Sequence, residues 1–248
     1  MSDAPAPAAS VRRAEVAADL ARVEERIAAA CAAAGRPRDD VTLVVVSKAY
    51  PASDVLLLAD LGVRDVGESR HPEAGRKADA CAEAGAPDLH WHFVGAVQTN
   101  KAAAVVRYAC LVHSVDRLRL VGALDRGAQR VDRVLDCLVQ VDLDPAGGPG
   151  PLGARSGAAG PDVRAVADAV AEAGALRLRG VMAVAPLDAD PAEAFARLGT
   201  QAAAVRADHA EASLVSAGMS ADLEQAVAAG ATHLRVGRAV LGARAALR

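Results

Sequence analysis

The feature that most constrains this chain is an alternation between short apolar runs and alanine-rich stretches. The first run, Thr42 to Lys48 (TLVVVSK), is apolar on both faces, as a strand covered by helices on both sides must be. Comparable runs follow at Asp65 to Glu68, His92 to Gly95, Leu111 to Val115, Leu135 to Val141, Leu178 to Val184, Ser213 to Ala217 and His233 to Gly237. Between them lie segments such as Ser53 to Leu61, Asn100 to Tyr108, Pro161 to Ala173, Ala192 to Ala212 and Ala221 to Ala229, with strong helix formers at helical spacing. Eight such alternations predict a single α/β domain over residues 11–248, a closed (β/α)8 TIM barrel. A doubly wound open sheet is the alternative, because the second and third strands are short. An additional helix, Val11 to Ala34, precedes the first strand and is stopped by Gly35 and Pro37. Residues 1–10 are expected to be disordered.

Composition narrows the function. A chain of 248 residues with 52% apolar content can bury one core of ordinary size. The net charge of -3, with both signs interspersed, supplies no basic stripe for nucleic acid or an anionic membrane. Aromatic content of 2% leaves few rings for base stacking. The opening MSDAPAPAAS lacks the apolar core of a signal peptide and no stretch is long enough to span a bilayer, so a cytoplasmic protein is expected. Cys31, Cys81, Cys110 and Cys137 show no CxxC spacing and read as reduced thiols. His90 and His92 share a strand face without further convergent ligands and read as structural, Trp91, Phe93 and Met182 read as core, and His113 and Ser114 are placed at the barrel mouth. The run Asp144 to Pro161, crowded with Gly and Pro, reads as a mobile loop on the C-terminal face.

Chemistry starts at Lys48. An amine at the C-terminal end of a barrel strand faces the mouth, where partial desolvation favours its condensation with an aldehyde. Most lysines that end a strand are merely solvated, so position alone does not decide the matter. The second half of the chain adds two glycine-containing turns after the seventh and eighth strands, Ser216 to Ser220 and Gly237 to Gly242. Barrels commonly bind phosphate there, with backbone amides and helix dipoles meeting the anion. Taken singly, Gly218 and Gly237 need only mean tight turns. Ser220 also reads as an N-cap for the following helix, assisted by Glu224.

The runs VVVSKAYP, GVRDVGESR, WHFVGAVQTNK, VHSVDRL, LRGVMAVAP and LVSAGMSADLEQAVAAGATHLRVGRAVLGAR occur in an order and spacing that resembles the pyridoxal phosphate homeostasis proteins, also called the proline synthetase co-transcribed family. The resemblance spans nearly all of the chain after residue 11. It implies a barrel of the alanine racemase N-terminal domain type that binds pyridoxal 5'-phosphate and buffers or delivers it without established catalysis. It further implies a Schiff base on Lys48, a phosphate held by Ser216 and the amides around Gly218 and Met219, completion of that cradle by Gly237 and Arg238, and Arg235 facing the pyridine nitrogen. A guanidinium donates to that nitrogen but does not protonate it, so the ring is a weaker electron sink than one facing an Asp.

Several positions depart from the family pattern. Arg238 stands where Thr is usual, Ser69 where Asn is usual, with His71 and Pro72 also atypical, and Ala96 where His is usual. Arg155 stands for the loop lysine. These departures put affinity in doubt more than identity. Three other readings stay open: a racemase- or decarboxylase-like enzyme, which would need a second acid/base opposite Lys48; a barrel acting on another phosphorylated ligand; and a degenerate member that no longer binds cofactor. The chain is expected to be a monomer whose partners are pyridoxal phosphate and its client enzymes.

Overall fold

The computed structural model describes residues 7–86, 88–144 and 157–242. Eight strands close into a barrel in chain order: β1 (Thr42–Val46), β2 (Asp65–Glu68), β3 (His90–Phe93), β4 (Ala109–Val115), β5 (Leu135–Gln140), β6 (Leu176–Met182), β7 (Leu214–Ser216) and β8 (His233–Val236). Every neighbouring pair is parallel, and β1 pairs with β8 through Thr42 opposite His233 and Val44 opposite Arg235. Closure replaces the open-sheet alternative and leaves no free sheet edge. All strand C-termini therefore lie at one mouth.

Helix α1 (Pro7–Ala33) precedes the barrel, and α2 (Ala52–Asp60), α3 (Glu73–Glu83), α4 (Ala102–Val105), α5 (Leu118–Arg130), α6 (Asp162–Glu172), α7 (Pro191–Asp208), α8 (Leu223–Ala228) and α9 (Arg238–Leu241) follow the strands in turn. Helix α1 begins at Pro7, ahead of the expected Val11 and inside the segment expected to be disordered. It buries Val16, Val23, Ile27 and Cys31, which recur at helical spacing on one face. Full burial of each of the larger side chains is worth roughly 1.5–3 kcal/mol. Arg12 ties α1 to the start of α2 through Asp54 Oδ2 at 2.8 Å and to Leu241 O at 3.0 Å. Asn100 to Tyr108, expected as one helix, splits into a 3-10 turn at Thr99–Lys101 and the short α4.

The main core lies between strands and helices, where Val45, Leu58, Val112, Leu124, Val139, Phe195 and Leu198 are almost fully buried. Phe93 belongs to it, whereas Trp91 packs in a smaller cluster with Val55, Val66 and Cys81. Two kinds of residue share the barrel interior. One side is an apolar plug of Leu111, Leu138 and Met182, with Leu214 against it. The other is polar: His92, His113, Ser216, His233 and Arg235 are all buried. Most of the Asp144 to Pro161 run, including Arg155, lies outside the described residues. At its end, Ala158 N donates to Gln140 O at 2.7 Å and extends the sheet beyond β5.

Among the described residues, no helix is long and apolar enough to cross a membrane. All four cysteines are unpaired.

Candidate functional site

Lysine is scarce in this chain: Lys48, Lys77 and Lys101 are its three lysines among 28 basic residues. Lys48 is exposed in the turn that follows β1, at the C-terminal mouth. The turn is held from several directions. Ser47 N donates to Gly67 O at 2.9 Å and Tyr50 N returns to Ser47 O at 3.0 Å. Ala49 takes a positive φ of 65°, and its N–H donates to Glu73 Oε1 at 3.1 Å. Below, Lys77 Nζ donates to Ser47 O at 2.9 Å and forms an ion pair with Glu68 Oε1, which also accepts from Ser47 Oγ at 2.8 Å. Lys77 and Glu68 are both buried, and Glu68 Oε2 has no hydrogen-bond partner. The Lys77 amine is thus committed to the scaffold beneath the Lys48 turn.

The other seven expected site residues come from β2 and β8, which flank β1, and from β7, which flanks β8. Ser69 follows β2, and its carbonyl oxygen lies 2.2 Å from where a Cβ on Gly95 would be, so only glycine lets the β3 end come this close. Gly218 follows β7 at φ +86°, where an added Cβ would lie 2.5 Å from Ala226 Cβ and 2.8 Å from Leu234 Cδ2. Its carbonyl accepts from Arg235 N at 2.9 Å, and Met219 N donates to Asp222 Oδ1 at 2.6 Å. Gly237 follows β8 with its α-carbon against Val46 O, which an added Cβ would meet at 3.0 Å. Arg238 is exposed at the start of α9, where Val240 N and Leu241 N both donate to Gly237 O at 3.0 Å. The eight residues thus fall in one contiguous sector of the barrel, β7, β8, β1 and β2, with Ser216 and Arg235 buried below the mouth.

Arg235 is 5% exposed in β8, with Nη1 donating to Ser216 Oγ at 2.7 Å and Nη2 to Ala183 O at 2.8 Å. Among the described residues no carboxylate forms an ion pair with it, and burial pushes its pKa down to about 10, opposed by the charge of Asp222. A buried cation with neutral partners is an unusual expense in folding free energy and fits a ligand that accepts hydrogen bonds. The Ser216 hydroxyl, expected at the phosphate, is instead fully buried between Arg235 and His113, whose Nδ1 lies 2.9 Å away. His113, expected at the mouth, sits deep in the barrel, where burial, His92, Arg235 and His233 together hold its pKa well below the ordinary imidazole value. His92, expected to be structural, joins His113 to Asp65.

Ser220 does not cap a helix. Helix α8 starts later, at Leu223, after Asp222. Glu224 turns instead to Arg26 of α1, which donates to it at 2.8 Å and to Ser220 O at 3.1 Å. Sequence reasoning also missed the Lys77, Glu68 and Glu73 support beneath Lys48. The GES run held a signal for it, since an acidic residue that ends a barrel strand must find a partner when buried.

Residues 18–245 match the family described as the alanine racemase N-terminal domain, so fold and match place the chain in that class of barrel. It is 43% identical to the pyridoxal phosphate homeostasis protein of Mycobacterium tuberculosis (strain ATCC 25618 / H37Rv) over 94% of each chain. It is 33% identical to the protein of that name from Escherichia coli (strain K12), over 93% of this chain and 97% of the relative. PipY of Synechococcus elongatus PCC7942, solved with PLP bound, superposes with a TM-score of 0.78 at 33% identity over 92% of this chain and 100% of its own. Alanine racemase from Corynebacterium glutamicum shares the fold, with a TM-score of 0.65 at 17% identity over 95% of this chain and 63% of the racemase. The chain belongs to the pyridoxal phosphate homeostasis protein family.

Proposed function

We propose that this protein binds pyridoxal 5'-phosphate as a Schiff base on Lys48 and serves intracellular homeostasis of that cofactor rather than catalysis. The observation that carries the reading is the grouping at one mouth of Lys48, the β7 and β8 turns and Arg235. The relatives named for this role and the PLP-bound PipY support it.

When bound, the cofactor supplies an electrophilic carbonyl carbon and an electron-withdrawing ring. This chain's own groups do the rest. Lys48 contributes the amine. Arg235 offers N–H donors to the pyridine nitrogen and keeps its own proton, which leaves the ring a weak acceptor of electrons. The turns at Gly218 and Gly237 form the phosphate side, with the Met219 amide held by Asp222 at 2.6 Å, and Arg238 adds a cation at the rim. Ser216 serves this site by holding Arg235, because its hydroxyl is shared between Arg235 and His113. Ser69 lines the opposite edge. Neither tyrosine is placed as a second acid/base: Tyr50 donates to Gly242 O at 2.7 Å, and Tyr108 stacks on His71 with centroids 6.1 Å apart. This favours a carrier over an acid/base enzyme, and release of the cofactor to client enzymes in the cytoplasm, by a monomer, is part of the same proposal.

Addition of pyridoxal phosphate to the purified protein is expected to give a borohydride-reducible visible band that Lys48→Ala lacks. Equal spectra from both proteins contradict the attachment, and turnover of an added amino acid contradicts the non-catalytic role.

A further inference from the structure

A line of hydrogen bonds crosses the barrel interior from the cofactor side to the other mouth. Arg235 Nη1 donates to Ser216 Oγ at 2.7 Å; Ser216 Oγ and His113 Nδ1 are 2.9 Å apart; His113 Nε2 and His92 Nδ1 are 2.9 Å apart; His92 Nε2 and Asp65 Oδ1 are 2.9 Å apart. Asp65 is the first residue of β2, so it stands at the N-terminal mouth, with its side chain 27% exposed.

With one proton on each imidazole, the two ends fix the direction of the whole line. A guanidinium only donates and an ionised carboxylate only accepts. Asp65 therefore accepts a hydrogen bond from His92 Nε2–H, and an imidazole that carries its one N–H there accepts at Nδ1. His113 must then donate from Nε2 and accept at Nδ1 from the Ser216 hydroxyl, which in turn accepts from Arg235. Every link is satisfied in this sense. The opposite sense would put an imidazole N–H and a guanidinium N–H on Ser216 together and turn the hydroxyl proton elsewhere.

We propose that Asp65 is a positioning residue for Arg235: from the far mouth, through His92, His113 and Ser216, it sets the hydrogen-bond direction that holds the guanidinium in the cofactor site. The proposal rests on the pyridoxal phosphate reading for its consequence, but not for the chain itself. Asp65 touches no part of the cofactor site. Its other partner, the 60% exposed His90 at 3.1 Å, is outside the line and provides a control.

The test has two parts. The first is imidazole 15N NMR of the unliganded protein, which reports the tautomer of each ring directly. Wild-type His92 and His113 are both expected as the Nε2–H form; an Nδ1–H tautomer at wild-type His113 overturns the proposal without any variant. Asp65→Asn replaces a pure acceptor with a group that also donates. It is expected to shift His113, two links away, toward the Nδ1–H form, whereas His90→Ala leaves both rings unchanged. A His113 signal that does not respond to Asp65→Asn overturns the relay. The second part is pyridoxal phosphate titration of the same proteins. Loss of one neutral hydrogen bond's worth of positioning raises the dissociation constant of Asp65→Asn roughly 2- to 10-fold, with the visible band retained because Lys48 is untouched. An unchanged constant in a variant with altered tautomers overturns the effect on Arg235. A wild-type protein that gives no visible band contradicts the cofactor reading instead, and the NMR result decides the hydrogen-bond line separately.

Discussion

Replacing Lys77 by Met tests how the Lys48 turn is supported. Lys77 and Glu68 have side chains only 5% and 1% exposed, and Lys77 bonds both the Glu68 carboxylate and Ser47 O. Met keeps the length and most of the volume, so packing is nearly preserved. What is lost is the cation opposite a buried carboxylate whose Oε2 already has no partner. Removing one member of a buried ion pair costs about 3–5 kcal/mol, because the other charge stays desolvated. The Ser47 carbonyl loses its donor as well, adding about 1 kcal/mol. Urea unfolding of Lys77→Met should therefore show a loss of about 4–6 kcal/mol at unchanged m-value. Glu68→Gln in the same protein should restore at least half of it, since a neutral amide costs less to leave partly paired. A loss below about 1 kcal/mol, or a double variant no more stable than Lys77→Met, would refute the reasoning.

Other perturbations have equally definite outcomes. Gly218→Ala places a Cβ 2.5 Å from Ala226 Cβ at φ +86° and should destabilise by about 2–4 kcal/mol in thermal unfolding; a change within about 0.5 kcal/mol would show that the β7 turn can relax. Acid should weaken the fold through the buried imidazoles. Burial, then His92, pushes His233 down to about 4, and His113 shifts in the same direction. An unfolded His takes up a proton near 6.5 while the folded ones stay neutral, so stability falls as pH drops from about 6.5 toward 4, by about 3 kcal/mol for His233. Asp65 acts lower: burial opposes its ionisation, but hydrogen bonds from His92 and His90 outweigh this and hold its pKa below 3.8, so its share is lost only in stronger acid. A stability curve flat between pH 7 and 4.5 contradicts this. Arg238→Ala should weaken pyridoxal phosphate binding roughly 2- to 5-fold at low salt and less at high salt, as for an exposed charge near an anion. An affinity indifferent to both the substitution and salt would place Arg238 outside the phosphate field.

Local signals were legible where the chain carried them in one segment. Asp65 to Glu68 was bounded correctly because turns flank it on both sides, and TLVVVSK placed Lys48 at a strand end from its apolar run alone. The glycine turns after β7 and β8 were legible for the same reason. Long-range polar partners were not. The Asp65, His92, His113, Ser216 and Arg235 line joins five strands and has no sequence period, so His113 read as a mouth residue and the partners of Ser216 went unseen. Ser220, with Glu224 four residues on, reads as an assisted N-cap, yet Arg26 from α1 captures the glutamate. Helix α3 interleaves Ala74, Ala78, Ala80 and Ala82 with Gly75 and charged residues that read as a solvated face, which hid Lys77 beneath Lys48. What sequence reads well is direction and period. What it reads poorly is which buried polar groups meet inside a closed barrel.

With three lysines in the chain, attachment of the cofactor can be mapped without ambiguity. After addition of pyridoxal phosphate and borohydride reduction, mass spectrometry of proteolytic peptides should find a single phosphopyridoxyl group on the peptide containing Lys48. Modification centred on Lys77 or Lys101, or no stable adduct at all, would contradict the placement of the cofactor site at the β1 end of the mouth.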